Sequence, residues 1–383
     1  MRLAKFIITA AIFLAIIGHS QNVFSWGLFN LFSGGPFTPE GLESVMNFDP
    51  DKDILYLPRI GNKNIFESMD DLSICRNPEV RKYIYIYLTR GREYCIRSIE
   101  RSHIYGGIIN EIFAKNGDIP DEIALLPLLE SGFNPNAVSR SKAVGLWQFV
   151  GNTSRPLGLR TDKWIDERRD IEKSTEAAIR HLRNLHRIFN SWELALTAYN
   201  GGAGHVARAI KKSGTRDLQE LIARGALSKE SSEYLHRYIA LVLIYKNQRL
   251  FDIYDEIAVP EIPRTENYMV KYPVNINRVS ELAGTPKKVI ETYNPELNRS
   301  AIPPYAKDYS LRLPAEAKDR LKSREEDLYR ERVTNVRTHR IRSGECLSAI
   351  ARLYNVNTVR IIRFNAIRDP DSLKAGDILY IPF

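Results

Sequence analysis

The chain has 383 residues, 44% of them hydrophobic and 26% charged, with a formal net charge of +9. That length allows two or three domains, one of them large enough to bury a substantial core, and the apolar share excludes a chain disordered throughout. The positive balance favours anionic partners such as cell-wall polymers, phospholipid surfaces or nucleic acid, and composition alone does not choose among them.

Residues 1–25 read as a signal peptide. Arg2 and Lys5 form a positive start, and Phe6–Gly18 is an apolar run too short for a comfortable membrane span. Val23 and Ser25 set a cut before Trp26; an alternative cut follows Ser20, and retention as an uncleaved anchor is the minor reading. No cysteine lies nearby to accept a lipid. Export disfavours a nucleic-acid partner, places the protein in the periplasm or cell envelope, and leaves no stable membrane span after cleavage. Of three cysteines, Cys75 and Cys95 either pair in an oxidising compartment, leaving Cys346 single, or all three are small buried hydrophobes. No Cys/His spacing suits a metal, and no cofactor is expected.

Residues 26–76, interrupted by Gly34-Gly35-Pro36, Pro39 and Pro50, form an arm or small subdomain. From 77 to 260 the text is helical. Val80, Tyr83, Ile84, Tyr87 and Leu88 make one stripe, and a second helix covers Arg92–Asn116. Asp118 is a candidate cap for the next helix, with Pro120 in its first turn and Glu130 near its end. Pro127 inside that helix predicts a kink before Glu130, which either projects the carboxyl into a cleft or is a packing accident. Further helices are expected over Ile171–Phe189, from Trp192 to a break at Gly201-Gly202, and over Ser232–Tyr245.

After Pro260 two stretches repeat one pattern. Ile276, Val279, Ala283, Ile290, Tyr293 and Asn294 match Leu347, Ile350, Tyr354, Ile361, Phe364 and Asn365 at identical spacing. Each copy closes on an alternating strand, Leu311-Arg312-Leu313-Pro314 or Leu379-Tyr380-Ile381-Pro382. Both therefore read as βααβ units, over 266–314 and 337–383, with their two strands paired across the helices. The charge-dense residues 315–336 between them, with Leu321 and Leu328 seven apart, read as a solvated helical linker.

The chemistry concentrates at Glu130. It follows the apolar run Ala-Leu-Leu-Pro-Leu-Leu and precedes Ser131-Gly132. Burial penalises the ionised form, and a helix C-terminus would push the same way, so this carboxyl should hold its proton near neutrality. That property is what cleavage of a glycosidic bond requires. Gly145-Leu146-Trp147-Gln148-Phe149 and Ala198-Tyr199-Asn200-Gly201-Gly202 supply the rings and amides that line oligosaccharide grooves. Trp147 and Phe149 read as core rather than as sugar platforms. Gly201-Gly202-Ala203-Gly204 lacks the preceding strand and following Lys-Ser/Thr of a phosphate loop, and reads as a helix break.

These blocks, with Glu230-Ser231-Ser232-Glu233-Tyr234-Leu235 as a fourth, resemble the lytic transglycosylases related to goose-type lysozyme, closest to the membrane-bound type D group. The resemblance implies a multidomain protein: an all-α lysozyme-like domain followed by small α/β modules. It implies Glu130 as catalytic acid and then base, with Tyr199 and Asn200 holding the substrate's acetamido group. Gln148 and Tyr234 would line the groove, and Ser131 would bond substrate or the carboxyl. Peptidoglycan glycan strands would be the partner, with the oligomeric state open. The second repeat resembles the LysM module through His339–Gly344, Asn365 and Gly376-Asp377, departing from its usual Gly-Asp-Thr at Gly344-Glu345-Cys346. The first, with Tyr272-Pro273-Val274 at its opening, resembles a degenerate copy. Eight Lys/Arg against four Asp/Glu from Arg337 onward suit an anionic glycan-peptide mesh. Two other readings stand beside this one. A hydrolase of peptidoglycan or chitin would use the same acid with an activated water, and an inverting one wants a second carboxylate, with Asp162, Asp166 and Asp170 nearby in sequence. A catalytically silent wall-binding scaffold would need no buried acid.

Overall fold

The computed structural model describes residues 77–306, 308–330, 336–365, 367 and 369–382, and the backbone of 59–60 and 63–64. The expected signal peptide, nearly all of the arm, and Cys75 lie outside the described residues. The short strands β1 (Arg59–Ile60) and β2 (Lys63–Asn64) pair antiparallel. The chain divides into two compact units, one formed by the residues up to Leu159 and Arg168–Ile262, the other by Arg160–Glu167 and Pro263–Phe383.

The first unit is helical. Asn77 opens α1 (Pro78–Leu88), its side chain accepting the amides of Glu79 and Val80, and Pro78 sits at the start where a missing N–H is harmless. The expected stripe is the buried face, with Val80, Tyr83, Ile84 and Tyr87 at 1% exposure or less. α2 (Arg92–Ala114) follows and buries Cys95, Ile99, Ile109 and Phe113, and burial pushes the Cys95 thiol up to about 12. Asp170 caps α5 (Ile171–Phe189), and Asn190 ends it in the left-handed conformation. α6 (Trp192–Gly201), α7 (Ala203–Ser213), α8 (Leu218–Ala223) and α9 (Lys229–Lys246) complete the unit. α9 buries nearly every residue from Tyr234 to Ile244, which fits a central helix packed on several sides. Among the described residues no helix is long and apolar enough to cross a membrane.

Residues 118–130 differ from the expected kinked helix. A 3-10 turn covers Asp121–Leu125, and the single α-helical turn α3 (Pro127–Glu130) begins afresh at Pro127. The proline starts a turn rather than bending a longer helix, since its ring excludes a continuous i→i−4 ladder. Asp118 caps nothing; it is paired with Arg183 of α5. One more short turn, α4 (Gly151–Ser154), lies between this region and α5.

The second unit holds the two repeats. In the first, β3 (Thr265–Val270) pairs antiparallel with β4 (Tyr309–Pro314) across α10 (Ile276–Ala283) and α11 (Lys287–Tyr293). The charged stretch after it is not a solvated spacer. In α12 (Ala315–Lys322) and α13 (Glu325–Leu328), Ala317, Leu321 and Leu328 enter the core formed by Ile276, Val279 and Leu311, with Tyr329 beside them. The Tyr329 hydroxyl accepts the Lys271 amide (3.0 Å), and Arg320 Nε donates to the last-turn carbonyl of Ala283 (2.6 Å). In the second repeat, β5 (Val336–Arg340) pairs antiparallel with β6 (Ile378–Pro382) across α14 (Leu347–Leu353) and α15 (Thr358–Phe364), over a core of Leu347, Ile350, Ile361, Leu379 and Ile381.

Residues 160–167 complete this unit. Asp162 accepts the amides of Trp164 and Ile165 and the Tyr305 hydroxyl (2.6 Å), the Asp166 amide bonds the Glu296 carbonyl (2.9 Å), and Trp164, Ile165 and Ala301 form a small buried cluster.

Candidate active site

Glu130 closes the one-turn α3, its amide bonded to the Leu126 carbonyl (3.1 Å). The chain then reverses sharply: Gly132 and Phe133 both have positive φ, at 56° and 54°. A side chain on Gly132 would lie 2.5 Å from Ser98 Oγ, so both conformation and space demand glycine there. Phe133 holds the same strained region with its ring 1% exposed in the core, a local cost sustained by packing around the site. Two side chains of α2 hold this turn from below. Tyr94 Oη donates to the Leu128 carbonyl (2.7 Å), and the buried Arg101 donates through Nε to the Gly132 carbonyl (2.6 Å).

As a residue Glu130 is half-buried, with its carboxyl withdrawn from solvent. Desolvation raises its pKa to about 7, against the opposing pull of a hydrogen bond from Tyr234 and the positive charge of Arg237; the negative charge of Glu230 adds to the rise. A single turn carries little macrodipole, so burial rather than a helix end is the cause. Tyr234 Oη donates to Glu130 Oε1 in a short hydrogen bond. Tyr234 is 2% exposed, and its phenol is held protonated far above the usual range by burial and by Glu130. Tyr199 is half-buried, donates to the Trp147 carbonyl (2.7 Å), and is likewise kept protonated by burial and the nearby Glu130 charge.

The structure thus gathers Glu130, Tyr234 and Tyr199. The other residues singled out by the sequence have identified internal partners. Ser131 is fully buried and donates to the Leu146 carbonyl (2.9 Å), tying the two loops together rather than touching the carboxyl. Gln148, itself at φ 48°, donates to the Gly145 carbonyl (2.9 Å) and braces its own loop. That loop passes so close to α5's leading segment that a Cβ on Gly145 would fall 1.9 Å from the Arg168 carbonyl oxygen. Asn200 accepts from Ser231 Oγ (3.2 Å) and donates to Glu230 (3.4 Å), linking α6 to the start of α9. Trp147 and Phe149 are core, as expected: Trp147 is fully buried, stacks on Phe113 and donates Nε1 to Thr175 (3.0 Å).

Tyr94, Arg101 and Arg237 were not singled out by sequence reasoning, and Glu230 was named only as part of the fourth block. A signal for the first two exists: Tyr94, Ser98, Arg101 and Ser102 place polar groups along α2 where an amphipathic stripe would put apolar ones. Of the sequence-adjacent carboxylates, Asp170 is an N-cap, Asp162 organises its own turn, and Asp166 is buried. Among the described residues no group of three His, Cys, Asp or Glu is placed to hold a metal ion.

Comparison with known proteins matches this architecture. Residues 107–222 match the transglycosylase SLT domain, residues 264–330 the LysM-like domain of lytic transglycosylase MltD, and residues 339–382 the LysM domain. The first match ends before Tyr234; the second takes in the charged helices that pack into the first repeat. These matches define the class: a helical transglycosylase SLT domain followed by LysM-type domains. Membrane-bound lytic murein transglycosylase D of Escherichia coli K12 is 29% identical over 284 residues, 70% of this chain and 61% of that protein. Membrane-bound lytic murein transglycosylase C of Photorhabdus laumondii is 32% identical over 160 residues, 36% of this chain and 45% of that protein. The corresponding protein of Cronobacter sakazakii is 27% identical over 175 residues, 39% and 48%. The chain is homologous to membrane-bound lytic murein transglycosylase D, and spans about three fifths of that relative's length.

Proposed function

We propose that this protein is a peptidoglycan lytic transglycosylase of the cell envelope, cleaving the β-1,4 bond between N-acetylmuramic acid and N-acetylglucosamine without consuming water. The observation that carries this reading is Glu130 at the tip of α3, its carboxyl hydrogen-bonded by Tyr234 beside Tyr199 and pushed up to about 7 by burial. A group balanced there is suited to give a proton and then to take one back.

Glu130 would first protonate the bridging oxygen. Because Tyr234 donates to Oε1, the proton would sit on Oε2 and be given from there. Oxocarbenium character then develops at the muramic anomeric carbon, where the sugar's own 2-acetamido oxygen stabilises it, so no second protein carboxylate is needed. Tyr234 steadies the carboxylate that forms, since a hydrogen bond donated to the ionised state lowers its energy. Glu130 would then remove the proton from the C6 hydroxyl as it attacks, giving a 1,6-anhydro end. Tyr199 and Asn200 would hold the acetamido group, Gln148 would line the groove, and Ser131 would keep the Glu130 turn against the Gln148 loop. Glycan strands are the partner, and the LysM-type modules would hold the enzyme on them.

Mass spectrometry of digested peptidoglycan tests this directly. The expected products carry anhydro ends. Reducing ends would indicate a hydrolase, and no cleavage a scaffold. Glu130→Gln should lower turnover by at least about a hundredfold while wall binding persists. Full turnover in that variant would refute the assignment.

A further inference from the structure

Within the second unit a cavity of about 1430 Å³ opens between the two repeats. It is larger than the usual small-molecule pocket of roughly 300–1,000 Å³, and suits a segment of a polymer. Its lining includes the apolar Val274, Ile302 and Ile362, and carries more cations than anions. Most of those cations are already engaged. Lys163 is paired with Asp377, Lys287 lies 3.4 Å from Glu291, and Arg299 donates to the Asn365 carbonyl (3.1 Å). Arg360 and Arg363 differ: three apart on α15, both exposed, both lining the cavity, they have no carboxylate partner among the described residues.

We propose that this cavity binds the carboxylate-bearing peptide stems of peptidoglycan, with Arg360 and Arg363 as the forks that receive the carboxylates. The inference rests on the peptidoglycan reading above and adds a second kind of contact to it. A guanidinium presents paired N–H donors matched to a carboxylate, and two of them one helical turn apart match anions repeated along a short chain. A neutral sugar would offer these two guanidinium groups no opposite charge. Of the two aromatic residues lining the cavity, Trp164 is 5% exposed and packs edge-on to Tyr380, so it offers a sugar no open face, and Phe364 is half-buried. The apolar part of the lining suits the methyl and methylene groups of a peptide.

The test uses the full chain bearing Glu130→Gln, so that glycan is not cut, and two bead-coupled probes: intact sacculi, and stripped sacculi, the uncross-linked glycan strands that an amidase leaves when it removes the stems. The parent should bind intact sacculi more tightly. Adding Arg360→Gln and Arg363→Gln should weaken that binding about fivefold or more, down to the level of stripped sacculi, and leave binding to stripped sacculi unchanged. Lys211→Gln with Lys212→Gln, which removes the same charge from α7 in the first unit, should leave both unchanged. Equal weakening by the two pairs, equal weakening on both probes, or no preference of the parent for intact sacculi would each overturn the proposal. Anhydro products from the Glu130-bearing enzyme alongside any of those results would sink the stem site alone; their absence would sink the peptidoglycan reading too.

Discussion

Glu130 is held between opposing influences, and their balance is open to measurement. An unfolded carboxyl titrates near 4.5, whereas the folded one titrates near 7 because burial penalises its charge. Between those values the folded state keeps a proton that the unfolded state has shed, so stability falls as pH rises through this window and is level above it. Glu130→Gln abolishes the penalty. The variant should match the parent below about pH 4.5 and exceed it by up to about 3 kcal/mol above pH 7, read as a pH-dependent gap in denaturation midpoint. A constant gap would mean that the carboxyl is not desolvated. Tyr234→Phe works from the other side. Losing the donor that favours the ionised form should move the upper limb of the pH–rate profile to higher pH and lower kcat about tenfold, with KM little changed. An unmoved limb would show that Tyr234 does not tune the acid. The sequence made Glu130 conspicuous because a charge ends an apolar run. Arg101 and Arg237 were not legible, since each reads as an ordinary helical cation until folding sets it against the turn after Glu130 or among the buried groups around Tyr234.

Among the elements, the repeat shows how a matched letter acquires a reason. Asn294 and Asn365 stand at equivalent positions just past α11 and α15. Asn365 Nδ2 donates to the Ile361 carbonyl (2.9 Å) and the Tyr380 carbonyl (2.6 Å), while Oδ1 accepts the Tyr380 amide (2.7 Å). Asn294 makes the same three bonds with Ile290 and Arg312. One amide thus clips the closing strand to the second helix in each module. Asn365→Ala would take this partner from the Tyr380 amide and carbonyl, while the Ile361 carbonyl keeps the backbone amide of residue 365, and should cost about 2–3 kcal/mol in urea denaturation. An effect under about 0.5 kcal/mol would mean that water substitutes freely. Spacing revealed both asparagines and both βααβ orders because they follow from local periodicity. Glu345, the departure at the first loop, accepts the Arg342 amide (2.7 Å) and meets His339 (2.9 Å), so the substituted residue still organises that turn. The charged stretch misled for a physical reason: α12 and α13 contribute only a few apolar residues each, too sparse a stripe to announce a core. Pro127 misled because a new turn starting at proline and a bend in a longer helix share one sequence pattern.

For the molecule as a whole, sequence order and packing disagree at residues 160–167. They fall in the middle of the SLT match at 107–222, yet they belong to the second compact unit. Trp164 is 5% exposed, with Ile165 and Ala301 as buried neighbours and Leu297, Tyr305 and Tyr380 packed against them. The Arg160 guanidinium lies 3.8 Å from the Tyr305 ring centre, and the Trp164 carbonyl receives the Asn298 amide (2.8 Å). Nothing in the periodicity of 160–167 announces this, because partners more than a hundred residues downstream decide it. Two units with separate cores should give two unfolding transitions in calorimetry. Trp164→Ala should lower the transition of the second unit by about 3–5 kcal/mol and leave that of the first nearly in place. Leu196→Ala, at a fully buried position in α6, should do the converse, at about 2–5 kcal/mol. The assignment of transitions can be made independently, since Asn365→Ala must shift only the one that Trp164→Ala shifts. If Trp164→Ala instead moved the transition that Leu196→Ala moves, residues 160–167 would belong with their neighbours in sequence, and the second unit would have to be stable without them.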